Sequence, residues 1–136
     1  MRKYYLFLIK NEYFKIYRDY SYILYKMLEC LARMHTYDFS YGISIYNQLC
    51  NKVSVKLLNN YIDSKIRHHK ISKKVIHIDS RFEDTYIQIN TSCIIIKTNV
   101  VLPQILKIFN IYNRQIFVCD FNNGNYFWLN QQIKKR

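Results

Sequence analysis

The sequence predicts an α+β fold, with helices packed on a small, largely antiparallel or mixed sheet in a single domain spanning residues 1–136. Two changes of hydrophobic rhythm and one turn signal lead to it. Residues 21–66 place apolar side chains every three and four positions, the period of a helix face. Residues 75–98 and 115–129 instead carry short β-branched and aromatic runs. The last of these is interrupted by Asn123-Gly124, the strongest short-range hairpin signal. Strands joined by tight turns pair antiparallel, and helices must then cover the sheet.

Taken in order, residues 4–9 (Tyr-Tyr-Leu-Phe-Leu-Ile) are apolar throughout, which predicts a strand buried on both faces and therefore central. Residues 11–20 mix tyrosine and phenylalanine with charge in neither period and read as a loop. Ser21 is a good N-cap for a helix whose face is Ile23, Leu24, Met27, Leu28, Leu31 and Met34. Residues 35–38 break it. Asp38 or Ser40 can cap a further helical stretch over 40–66, in one piece or two, with Ile43, Tyr46, Leu49, Cys50 and Val53 on one side. Leu57, Leu58, Tyr61, Ile62 and Ile66 continue it. Residues 65–74 are the densest basic stretch, with Lys65, Arg67, Lys70, Lys73, Lys74, His68 and His69. They read as a solvated connection rather than a phosphate site, because no glycine turn or stacking aromatic accompanies them.

Residues 75–78 form a short strand, and 85–90 and 93–98 form a hairpin turned at Thr91-Ser92. Residues 99–110 are helical with Leu102, Ile105, Leu106 and Phe109 in phase. Pro103 is tolerable only in a first turn, so the helix proper starts at Val101 or Leu102. Residues 115–121 and 126–129 pair across the Asn-Gly turn, and the basic tail 134–136 frays.

Composition narrows the function. The chain has 136 residues, half of them hydrophobic, with one proline and two glycines, which excludes a disordered or fibrous chain. No apolar run reaches the roughly 20 residues that span a bilayer. The six apolar residues after Met1-Arg2-Lys3 are too short and too aromatic for a signal peptide, so a cytoplasmic protein is expected. Cys30, Cys50, Cys93 and Cys119 are too far apart for a zinc or redox pair and read as small buried hydrophobes.

A net charge of +12 raises nucleic acid as a partner. Yet residues 1–68 carry 11 basic and 5 acidic side chains, and residues 69–136 carry 10 and 4, so each half is +6 and no basic arm exists. The abundance of Ile, Asn, Lys and Tyr against a single Ala also matches AT-rich codon usage. A basic nucleic-acid-binding module stands as the alternative function.

The chain lacks a catalytic constellation. Gly42 and Gly124 cannot build a phosphate-cradling loop. His68, His77 and Asp79 could be drawn as a metal set, but their spacing matches no ligand motif, so no metal and no cofactor are expected. Cys119 lies inside a strand pattern and reads as a buried thiol. Glu83-Asp84 reads as the boundary of a strand. The outstanding feature is 14 tyrosines, several where periodicity does not need them: Tyr13, Tyr17, Tyr20, Tyr22, Tyr25 and Tyr37. Tyrosine combines large contact area, low rotamer entropy and a polar tip, which suits a recognition surface.

Both ends of the chain carry a family likeness. Tyr4-Tyr5-Leu6-Phe7-Leu8-Ile9-Lys10-Asn11-Glu12-Tyr13-Phe14 resembles the opening of the sporulation inhibitor of replication (SirA) family. Asp120-Phe121, four residues, then Tyr126-Phe127-Trp128-Leu129-Asn130 resembles its end. Roughly 40 residues carry the match. The resemblance implies a small cytoplasmic protein of spore-forming Firmicutes, without catalysis or cofactor. Such a protein binds the N-terminal domain of the replication initiator DnaA and blocks new rounds of replication. It also implies contact residues: Tyr13, where the family has Phe, and Tyr17, a direct match. A second patch comprises Gln48 and Asn51, where the family has Tyr at the latter, or Asn47 and Cys50 if the register shifts by one.

Overall fold

The computed structural model describes residues 1–33, 39–71 and 75–134. Within these residues, seven strands form one antiparallel open sheet: β1 (Arg2–Leu8), β2 (His69–Lys70), β3 (Val75–Asp79), β4 (Asp84–Ile89), β5 (Ile94–Thr98), β6 (Ile116–Asp120) and β7 (Asn125–Trp128). Their order is β2-β3-β4-β5-β1-β6-β7. Among the described residues, six helices complete the α+β fold: α1 (Asn11–Tyr17), α2 (Ser21–Ala32), α3 (Phe39–Leu49), α4 (Val55–Lys65), α5 (Ile105–Tyr112) and α6 (Leu129–Lys134). No helix among the described residues is long and apolar enough to cross a membrane.

The first strand is central, as its two-sided apolarity requires. It pairs with β5 through Tyr4↔Ile96 and with β6 through Leu6↔Val118. Alternation along β1 divides the core in two. Tyr4, Leu6 and Leu8 face Ile76, Ile87, Ile96, Ile116 and Val118, and α4, α5 and α6 seal this side with Leu58, Ile62, Phe109 and Leu129. Phe7 and Ile9 face the other way with Phe117, Cys119 and Trp128, under Leu24, Tyr25 and Leu28 of α2 and Leu49 of α3. The Tyr4 hydroxyl donates to the Val101 carbonyl.

Several boundaries differ from the sequence reading. Residues 11–17 form α1 rather than a loop, because Tyr13, Phe14 and Tyr17 recur at i, i+1 and i+4 and pack on the second core. Ser21 is the first residue of α2, not its cap; Tyr20 holds that place without a side-chain bond. On α2, Ile23 is half exposed, because Tyr25 stacks on Tyr126 at 4.7 Å and turns the buried face toward β7. Residues 40–66 are two helices. Cys50 bridges to Ile9, and the Val53 amide donates to the Thr91 carbonyl at 2.8 Å, so residues 50–54 stay extended.

The basic stretch contains the edge strand β2, paired through His69↔His77. Helix α5 begins at Ile105, later than expected. Asp84 holds Asn99 against the sheet, its amide donating to Asn99 Oδ1 at 2.8 Å, and the buried Pro103 precedes the first turn. Leu129 is buried and starts α6, which reaches Lys134.

The final hairpin has a four-residue loop closed by Asp120↔Asn125, in which Gly124 alone takes positive φ, at 64°. A two-residue type I′ turn needs positive φ at both central residues. Here Asp120 replaces that geometry by accepting from the Asn123 amide at 3.3 Å and from its side chain at 2.7 Å. The 35–38 break, the Asp38 cap, Met34, Tyr37, Lys73, Lys74 and residues 135–136 lie outside the described residues.

Candidate partner-binding face

The chain leaves β1 at Ile9 and turns directly into α1. Two backbone bonds, which together make the antiparallel bridge between Ile9 and Cys50, stitch this corner to the end of α3. The Lys10 amide donates to the Leu49 carbonyl at 2.9 Å and the Asn51 amide to the Leu8 carbonyl at 2.7 Å. From the far side, the Gln115 side-chain amide donates to Asn11 Oδ1 at 2.6 Å. The start of α1 and the end of α3 are therefore fixed against each other by main-chain geometry, not by side chains alone.

One consequence is a contact across 35 positions of sequence: Gln48 Nε2 donates to the Tyr13 hydroxyl at 2.8 Å. The two patches implied by the resemblance thus lie side by side, one on α1 and one on the last turn of α3. Gln48 and Asn51 are exposed, as is Asn47. Cys50 is buried at 2% exposure. Burial pushes its thiol up to about 12, so it carries no charge at neutral pH.

Tyr13 and Tyr17 are half-buried, each with its ring against the second core. Beneath them Phe14 meets the Trp128 ring edge-on at 4.9 Å. A ring anchored on one side by the core loses little further entropy when its other side is covered by a partner. The remaining tyrosines divide. Tyr20 and Tyr22 are exposed, whereas Tyr25 is a core residue at 4% exposure, with its hydroxyl donating to Glu29 at 3.1 Å.

Sequence reasoning missed Ile16 and Ile23, which join Tyr20 and Tyr22 as exposed apolar side chains within residues 16–23. Ile16 lies off the 13/14/17 face, a signal visible only once the segment is recognised as a helix. Such clustering of exposed apolar side chains marks a contact surface more than scattered ones do.

The residues weighed for chemistry lie elsewhere. His68 is drawn away from the imagined His68–His77–Asp79 set; its side chain is 6% exposed and its Nε2 sits 2.8 Å from Asp63 Oδ1. Asp84 takes its place beside His77 and Asp79. Cys119 is fully buried and its thiol is pushed far up by burial. Cys30 departs from the expectation for all four cysteines: it lies exposed on α2, off that helix's buried face. Glu83 accepts from the Gln104 amide at 3.1 Å ahead of α5, and Asp84 opens β4. No protein-family model and no curated protein matches the chain.

Proposed function

We propose that this protein is a non-enzymatic inhibitor of replication initiation that binds the N-terminal domain of a DnaA-type initiator. The face it uses is built from Tyr13 and Tyr17 of α1 with Gln48 and Asn51 at the end of α3. The observation that carries the reading is the Gln48–Tyr13 hydrogen bond. Two segments that the SirA resemblance implicates separately are held together by backbone bonds at the Ile9–Cys50 corner. Half-buried tyrosines flanked by exposed amides make a preorganised surface: aromatic area supplies affinity and the amides supply register. Inhibition needs no reaction. Covering a face of the initiator domain denies it to other proteins or to other initiator copies.

Capture of the purified initiator N-terminal domain on immobilised protein tests this. Wild type retains the domain. Gln48→Ala, at an exposed position, weakens retention several-fold at unchanged melting temperature. Absence of capture by the wild-type chain overturns the proposal.

A further inference from the structure

Three of the nine acidic residues in this +12 chain, Asp79, Glu83 and Asp84, fall within six positions at the tip of the β3–β4 hairpin. The register sets Asp79 directly opposite Asp84. Like charges facing each other across an antiparallel pair destabilise it. One compensating group is present. His77 Nε2 lies 2.5 Å from Asp84 Oδ1, and one ligand-type atom from each of His77, Asp79 and Asp84 falls within 4.8 Å of the others.

The imidazole is also aimed. Its ring lies parallel to the Tyr86 ring, 4.3 Å between centroids with 3° between planes. Tyr86 is the direct cross-strand partner of His77. Asp84 is anchored by its own backbone amide, which donates to Asn99 Oδ1 at 2.8 Å. Orientation of first ligands by neighbouring groups is the usual support of a metal site.

We propose that His77, Asp79 and Asp84 form a binding site for a divalent transition-metal ion of the zinc or cobalt class. One imidazole with two carboxylates suits these borderline ions; calcium and magnesium prefer all-oxygen shells. Three protein ligands leave at least one coordination position to water or to a donor from elsewhere. Binding opens the Nε2–Asp84 contact slightly, sends the proton between them to water or leaves the neutral ring protonated on Nδ1, and replaces the hydrogen bond with one metal bond from Nε2 and one from Asp84. It also neutralises the facing aspartates and clips β3 to β4. The site lies on the β4 side of β1, separate from the α1–α3 face, and does not depend on the proposed partner.

Calorimetric titration of the intact protein with zinc chloride, repeated with cobalt chloride, tests the site. The wild type binds one equivalent with micromolar affinity. Calcium and magnesium at the same concentrations bind far more weakly. His77→Gln, Asp79→Asn and Asp84→Asn each lose on the order of tenfold or more in affinity, and His68→Gln loses none. Because a hairpin variant can fold poorly, a second measurement uses the wild type alone. Substoichiometric cobalt broadens the NMR signals of His77 and Tyr86 before those of His68 and Cys30. Undiminished zinc affinity in the folded His77→Gln and Asp84→Asn variants, or broadening centred on Cys30 or His68, overturns the proposal. So does absence of any zinc binding by the wild type.

Discussion

Truncating Tyr17 separates the proposed binding role from packing, because its ring rests on the core and is still half exposed. Its ring is half-buried against the core of Phe7, Ile9, Leu24 and Trp128. Removing a fully buried large aromatic costs about 3–5 kcal/mol, so a half-buried ring costs about 1–2 kcal/mol of stability. A domain starting at about 5 kcal/mol or more keeps over roughly 99% of its molecules folded after such a loss. Unfolding therefore cannot account for a large change in affinity. Interface tyrosines acting as anchors cost about 2 kcal/mol when cut to Ala, roughly a thirty-fold rise in Kd. Tyr17→Ala is thus expected to lower the urea midpoint moderately and to weaken binding of the initiator domain about thirty-fold. Tyr17→Phe keeps the packing and holds stability within about 0.5 kcal/mol. Urea denaturation and calorimetric titration on the same preparations give both numbers. Unchanged affinity alongside the moderate loss of stability would make Tyr17 a core residue and remove it from the face.

Phe109 fills the first core at 0% exposure, so Phe109→Ala is expected to cost about 3–5 kcal/mol in urea denaturation; a loss under about 1 kcal/mol would contradict the assigned packing. Of the four thiols, Cys30 is expected to react first with a thiol reagent under native conditions, while Cys50, Cys93 and Cys119 react only on unfolding, since burial raises the pKa of all three. Equal rates for all four in the native protein would refute this. Burial, with the hydrogen bond to Glu29, pushes the Tyr25 hydroxyl up from 10.0 to about 12, and burial also raises those of Tyr4 and Tyr46. A folded-state pKa above the unfolded value gives stability that is present below pH 10.0 and lost as pH rises toward about 12. Spectrophotometric titration is therefore expected to show these tyrosines ionising together with loss of native circular dichroism.

Much of the fold was legible because its strands announce themselves locally. The apolar run at 4–9 placed β1 at the centre, and the β-branched runs at 85–90 and 93–98 gave their hairpin. Elements set by distant contacts were not legible. The rhythm of α1 is blurred by Ile16 on its exposed side. Its helical state depends on a core that includes Trp128, far along the chain. The break between α3 and α4 is imposed by the Cys50 bridge to Ile9 and the Val53 bond to Thr91, neither of which has a sequence signature. In the same way, the family likeness pointed to Tyr13 and Gln48 separately, but their adjacency is a product of that corner. The His77–Asp79–Asp84 grouping needed the β3–β4 register, which joins an i, i+2 pair to a cross-strand partner.

The proposed surface is tested most directly by mapping backbone and side-chain NMR shifts of the wild-type protein as the initiator N-terminal domain is added. The account predicts that Tyr13, Tyr17, Gln48 and Asn51 shift or broaden first and most. Signals from the β3–β4 hairpin and from α5 should stay in place. A footprint centred on the hairpin or on α5, with α1 and the end of α3 unmoved, would contradict it.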